Sequence, residues 1–195
     1  PVCGNLGSDC PDPGHSGHTN LTGWIAIRDE AGLNAVQKNG HYYLTREVEI
    51  NRTWEPKDGV VLCLNGNTLQ ANGDFDAIKV DNGYTFTLTD CANNGTVTHD
   101  TGKTGSGVYN YGGKFNMYGG NITGNSASIG GGVNNYATRD AIYQYNTYPA
   151  TFNMYSGSIT NNAAVSSGKN DSSGNGGGVY NYTTPGHAGT SQSNV

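Results

Sequence analysis

Short segments of this chain return almost unchanged further along it, and a chain that repeats itself must fold so that like copies become neighbours. Ser106-Gly107-Val108-Tyr109-Asn110-Tyr111 comes back as Gly131-Gly132-Val133-Asn134-Asn135-Tyr136 and again as Gly177-Gly178-Val179-Tyr180-Asn181-Tyr182. Phe115-Asn116-Met117-Tyr118-Gly119-Gly120-Asn121-Ile122-Thr123 is echoed by Phe152-Asn153-Met154-Tyr155-Ser156-Gly157-Ser158-Ile159-Thr160. Fainter copies lie upstream: Thr85-Phe86-Thr87-Leu88 with Gly95-Thr96-Val97-Thr98, and Val60-Val61-Leu62-Cys63-Leu64 with Thr68-Leu69-Gln70 and Ala77-Ile78-Lys79-Val80. Each copy holds three short β-prone pieces separated by Gly or Asn turns. The valine-centred segment recurs after 25 residues and then after 46, the longer gap being filled by extensions at 137–151 and 161–176.

Three strands in about 20–25 residues, with insertions confined to turns, is the pattern of a parallel β-solenoid. Helical repeats are excluded, because no window keeps a 3.6-residue period and glycine recurs every few positions. A propeller blade needs about 40–50 residues, more than the shorter repeat supplies. Alternation then sorts inside from outside. Phe115, Met117, Phe152, Met154, Phe86, Leu88, Leu62 and Leu64 line one inner wall; Ile122, Ile159, Val97 and Leu69 a second; Val108, Val133, Val179 and Ile78 a third. Asn110, Asn135 and Asn181 are expected to form an amide ladder. Residues 29–38 carry early acids, a late lysine and Gly40 beyond their end, and so predict a short helix laying Leu33 and Val36 over the first coil, with Trp24 and Ile27 beside it. The chain divides into a Cys/His-containing leader (1–19), an N-terminal cap (20–41), β-helix repeats (42–183) and a polar tail or unfinished repeat (184–195).

Composition removes several functions. Charged residues make up 13% and the net charge is −5, about half the usual charged fraction and too weak for disorder driven by self-repulsion. Lys and Arg number 10 and form no basic stripe, so nucleic acid is not an expected partner. No apolar run approaches the ~20 residues of a membrane-spanning helix. Leucine is sparse, while 31 Gly and 13 Tyr suit short strands and many turns. The chain opens Pro1-Val2-Cys3 without Met, which reads as a processed form, and its four cysteines lean towards a secreted location.

The Gly-Gly-Val-Tyr-Asn and Phe-Asn-Met-Tyr-Ser-Gly-Ser-Ile-Thr copies resemble right-handed parallel β-helix proteins of the pectin-lyase-like superfamily. They are more closely similar to the large surface and secreted proteins of gut Firmicutes. Tyr42-Tyr43-Leu44-Thr45 followed by Leu62-Cys63-Leu64-Asn65-Gly66-Asn67-Thr68-Leu69 resembles that group's opening coil. The likeness spans roughly residues 20 to 183. It implies an all-β, right-handed parallel β-helix (solenoid) of about four to five coils with a short N-terminal helical cap. It also implies an extracellular place, secreted or on the cell surface, within a larger surface protein. Activity does not follow, since the superfamily includes lyases, hydrolases, adhesins and spacers.

Four residue groups are candidates for chemistry. Glycan-cleaving β-helices work with clustered acids, yet the two best repeats carry no Asp or Glu on their strands. Asp74, Asp76, Asp81 and Asp90 lie near turns of an early coil and read as solvated turn formers, and Arg139-Asp140 as a surface pair. The expectation is therefore no catalytic residue. Cys3, Cys10, His15 and His18 bring two thiols and two imidazoles within sixteen residues. Zinc ligation is one reading; a Cys3–Cys10 disulfide beside two exposed histidines is the other, favoured in an oxidising compartment. Cys63 and Cys91 fall on neighbouring coils, where a disulfide requires the turn at Asp90 to fold back when Leu62 is aligned with Phe86. Finally, Tyr111, Tyr136 and Tyr182 form one outward file and Tyr118 and Tyr155 another, with Tyr109 and Tyr180 nearby and Tyr143, Tyr145 and Tyr148 in the first extension. Exposed rings flanked by amides suit sugar faces and hydroxyls, while stacked tyrosines also stabilise a sheet wall by themselves. The expected role is a non-catalytic adhesin-type segment binding glycan or host protein. A pure spacer and a polysaccharide lyase or hydrolase are the alternatives.

Overall fold

A computed structural model describes residues 23–139, 147–166, 174–182 and 192–194. The leader with Cys3, Cys10, His15 and His18, together with Asp140, Tyr143, Tyr145 and most of the tail, lies outside the described residues. The chain enters on β1 (Ile25–Ile27), a five-residue helix α1 (Glu30–Asn34), β2 (His41–Leu44) and β3 (Val48–Ile50). Next come β4 (Val60–Cys63), β5 (Thr68–Ala71) and β6 (Ile78–Val80), then β7 (Thr85–Thr89), β8 (Thr96–His99) and β9 (Val108–Tyr111). They are followed by β10 (Lys114–Met117), β11 (Asn121–Thr123), β12 (Ser126–Ala127) and β13 (Val133–Tyr136). The last strands are β14 (Thr138–Arg139), β15 (Thr147–Tyr148), β16 (Thr151–Met154), β17 (Ser158–Thr160), β18 (Ala163–Ala164), β19 (Val179–Tyr182) and β20 (Gln192–Asn194).

The protein is thus nearly all β, and its sheets are parallel. Three large sheets have the orders β1-β2-β4-β7-β10-β16-β20, β17-β11-β8-β5-β3 and β19-β13-β9-β6. No two neighbours in the second and third of these are consecutive in sequence; the chain leaves each sheet, passes through the others and returns beside its earlier strand. Only the β14–β15 pair is antiparallel among the described residues. The repeats pair residue for residue: Phe115 with Phe152, Ile122 with Ile159, and Val133 with both Val108 and Val179.

Alternation produces the core because successive strand residues face opposite sides. Phe86, Phe115 and Phe152 are fully buried and lie one over the next, with ring centroids 5.8 and 5.1 Å apart and planes within 10°. Trp54 closes this column edge-on against Phe86 at 5.5 Å. Leu69, Val97 and Ile122 supply the second wall, and Ile78, Val108 and Val133 the third. Towards the C-terminal end Met154, Ile159 and Val179 are only partly buried, while Phe152 stays fully covered. Tight turns keep the copies superposable. Gly120 (φ +87°) and Gly157 (φ +97°) occupy equivalent turns in the left-handed region, where a side chain is strained, and a Cβ on Gly157 would meet the Gly120 carbonyl.

Two expectations are corrected. The register places Val60, not Leu62, beside Phe86, so Leu62 faces Leu88 and Cys63 faces Thr89. The faint upstream copy has too few landmarks to fix a two-residue shift, which leaves the alternation unchanged. The helix is also shorter than residues 29–38. Asp29 caps it by accepting the Gly32 N–H at 2.8 Å, and Ala35 ends it. Leu33 and Val36 are buried as expected, and the Trp54 indole donates to the Leu33 carbonyl at 3.0 Å.

Candidate functional site

In β9 and β13 the valine and asparagine are buried and the residues between them face outward; β19 keeps the same register, but there Asn181 is exposed. Three amides thereby meet inside the sheet β19-β13-β9-β6. Asn110 Nδ2 donates to Asn135 Oδ1 at 2.6 Å, and Asn135 Nδ2 donates to Asn181 Oδ1 at 2.7 Å. The same donors reach backbone carbonyls: Asn110 to Gly113 and Thr151, Asn135 to Ala150. The ladder begins at Asn110, whose Oδ1 has no partner, because its neighbour in β6 is Val80. A second amide step, Asn153 Nδ2 to Asn116 Oδ1 at 2.9 Å, runs along the outer side of the large sheet.

On the opposite face of the ladder strands stand the tyrosines. Tyr111, Tyr136 and Tyr182 form a file whose rings are parallel within 8° and 10°, with centroids 6.4 Å and then 4.5 Å apart. Tyr118 and Tyr155 form the second file at 4.4 Å and 14°. All are half-buried except Tyr155, which is 50% exposed. Tyr109 tilts against Tyr111 at 5.4 Å, and Tyr180 lies 6.4 Å from Tyr182. The rings therefore face one another. Tyr136 thus stands between the Tyr111 and Tyr182 rings, with the closer stack on the Tyr182 side. Burial, and after it Tyr111 and Asp76, holds the Tyr109 phenol above its ordinary range; burial and Tyr182 do the same to Tyr136. Tyr109 and Tyr136 are accordingly neutral phenols at physiological pH.

Lys79 stands at the start of this wall, its ammonium 5.5 Å from the Tyr111 ring centre, 3.1 Å from Glu55 Oε1 and 3.6 Å from Asp81 Oδ1. Burial pulls its pKa down, but the Glu55 and Asp81 carboxylates outweigh that and leave it raised. Asp74, Asp76 and Asp90 are tied to backbone N–H groups. Asp74 accepts the Thr104 N–H and hydroxyl, and Asp76 the Ser106 N–H. Asp90 departs from the expected solvated turn residue: it is 3% exposed and accepts N–H groups of Gly66, Gly95 and Ala92, at 2.7, 2.7 and 3.3 Å. Its role is to join the 64–67 turn to the 90–95 turn. A cleft of about 300 Å³ lies elsewhere, beside α1, lined by Arg28, Asp29, Glu30, Glu47 and Glu49. Its acids Glu30 and Glu49 are engaged by Asn51 and Asn72.

Cys63 and Cys91 form a disulfide with Cα atoms 6.5 Å apart. The corrected register explains it, since Cys91 sits two positions beyond Cys63's partner and the Asp90 turn brings it back. The bridge lies on the outer side of the large sheet with Trp24, Val61 and Tyr43. Among the described residues no group of three or more His, Cys, Asp or Glu is arranged for a metal ion. Zinc at the Cys3, Cys10, His15 and His18 cluster falls outside those residues.

Sequence reasoning did not find the buried network at His99. Its Nδ1 lies 2.7 Å from Asn125 Oδ1 and its Nε2 2.7 Å from the Phe75 carbonyl, while Asn125 Nδ2 donates to Asn162 Oδ1 at 2.9 Å. The signal was present in the equivalent placement of Asn125 and Asn162, two residues after each Ile-Thr strand. No protein-family model, curated protein or solved structure matches the chain.

Proposed function

We propose that the chain is a right-handed parallel β-helix segment of about four to five coils, closed at its N-terminal end by α1, and that it is a non-catalytic, rod-forming part of a larger extracellular bacterial surface protein. The observation that carries this reading is the in-register stacking of identical side chains in two separate sheets: phenylalanine on phenylalanine in one, asparagine on asparagine and tyrosine on tyrosine in the other. Such stacking gives a stiff body whose neighbours contact only neighbours. Right-handedness rests on the strong preference of parallel crossover connections for that hand. The capping role of α1 rests on Leu33, which covers the core at the first coil. An extracellular location is supported by the Cys63–Cys91 disulfide.

The spacer role is the one the tyrosine geometry supports best, because the ring faces are occupied by other rings. A binding role for glycan or host protein is the second reading, favoured by the half-exposed Tyr155 ring and the row of phenol hydroxyls. Single contacts of that kind give a Kd of about 0.1–1 mM, so the test uses clustered protein on glycan and host-protein arrays. The spacer reading predicts no retained ligand. Retention abolished by Tyr155→Ala, with the fold intact, establishes the binding reading instead. Release of reducing ends or unsaturated products from a polysaccharide panel overturns both.

A further inference from the structure

We propose that two tyrosine pairs, Tyr118 with Tyr155 and Tyr136 with Tyr182, are oxidative cross-linking sites that form carbon–carbon staples between neighbouring strands under a haem peroxidase and hydrogen peroxide. The inference is independent of whether the wall binds a ligand. The rings of these pairs lie 4.4 and 4.5 Å apart with planes within 14° and 10°. Backbone register holds them there. Tyr136 and Tyr182 are direct strand partners, and Tyr118 and Tyr155 follow directly on the paired Met117 and Met154. The Tyr155 N–H donates to the Met117 carbonyl and the Tyr118 N–H to the Leu88 carbonyl, so both backbones continue the ladder.

Each phenol gives up one electron and its hydroxyl proton, leaving a tyrosyl radical whose spin reaches the ring carbons ortho to oxygen. Two such radicals held against each other join through those carbons. The ring hydrogens at the new bond then move to the oxygens, which restores both phenols. Hydrogen peroxide takes up the two electrons and two protons and leaves as two waters. An oxidant reaches Tyr155 readily, as that residue is 50% exposed, and the other three rings are half-buried rather than sealed. Distance makes the reaction selective. Tyr111 and Tyr136 are as parallel but 6.4 Å apart, and Tyr84, 39% exposed, has no aromatic neighbour among the described residues. A staple at Tyr118–Tyr155 would fix two successive copies of the Phe-Asn-Met-Tyr strand to each other.

The test treats dilute protein with horseradish-type haem peroxidase and limiting hydrogen peroxide, then reads intact mass, dityrosine fluorescence and cross-linked peptides. The expected product is a monomer that has lost two hydrogens per staple, with peptides joined at 118–155 and 136–182. Tyr155→Phe keeps the stacked ring and should remove the first link while leaving the second; Tyr136→Phe should do the reverse. Monomer of unchanged mass, or links mapped mainly to Tyr84 or to pairs between molecules, overturns the proposal. Loss of both links in Tyr155→Phe while circular dichroism is unchanged also overturns it.

Discussion

Replacing Asn135 by alanine removes the centre of the amide ladder, and its consequence can be worked from three contacts. Asn135 accepts from Asn110 at 2.6 Å and donates to Asn181 at 2.7 Å and to the Ala150 carbonyl at 3.2 Å, all at a fully buried position. A net hydrogen bond contributes about 0.5–1.5 kcal/mol, so losing three should destabilise by about 2–4 kcal/mol. Asn110 keeps Gly113 and Thr151 as acceptors, which places the damage on the C-terminal side of the ladder. Asn135→Asp should be worse at neutral pH, because a carboxylate oxygen would then oppose Asn181 Oδ1 and the Ala150 carbonyl. That carboxyl would have a raised folded pKa, so its penalty is present above the unfolded value and fades as pH falls through the folded one. Urea unfolding followed by circular dichroism measures the total. Both tryptophans, Trp24 and Trp54, stand in the first part of the chain and are poor reporters of β19. Amide hydrogen exchange of β13, β16 and β19 is therefore the companion measurement. A loss below about 0.5 kcal/mol in Asn135→Ala, with exchange in β19 unchanged, would refute the ladder as a source of stability.

Other perturbations have defined directions. Asp58 is held below its ordinary carboxylate range, first by the Thr85 N–H at 3.0 Å and then by the Lys38 ammonium at 2.9 Å. Its stabilisation is present above the unfolded value of about 3.9 and is lost as pH falls through the lower folded one. Asp58→Asn should therefore lie below wild type at pH 7 and converge with it in acid; parallel curves down to pH 2 would contradict this. Reducing the Cys63–Cys91 bridge, or replacing both residues by serine, frees a loop of 28 residues' separation. Loop-closure entropy sets an upper limit of roughly 3–4 kcal/mol on the loss. Hydrogen exchange should rise first in the 90–95 turn, and an unchanged melting temperature would show that the sheets already hold that turn.

The repeats made the strands, the inward residues and the amide ladder legible, because two near-identical copies fix register without any structure. Phe115 beside Phe152 and Asn135 beside Asn181 needed nothing more than alignment. The faint copies failed where they lacked landmarks, which is why Val60 rather than Leu62 faces Phe86. Asp90 was misread because a turn carboxylate is usually solvated, and only the stacked turn at Gly66 turns it into a buried acceptor. The outward direction of the tyrosines was correct, but alternation says nothing of ring orientation. Side chains directly above one another in a parallel sheet pack face to face, and that decides what the wall offers to a ligand. The small β12–β18 sheet was hidden for another reason: its strands are only two residues long, Ser126–Ala127 and Ala163–Ala164, and carry no large apolar residue.

In-register parallel stacking is the claim on which the rest depends, and paired spin labels on one outward row measure it directly. Gln70 pairs with Thr98, and Thr123 with Thr160, all on the same face of one sheet. With one label fixed at Gln70 and the second moved to Thr98, Thr123 and Thr160, the distance should grow by a constant step of about 4.8 Å per strand. Distances that do not rise in that order, or that reverse between Thr123 and Thr160, would contradict the account.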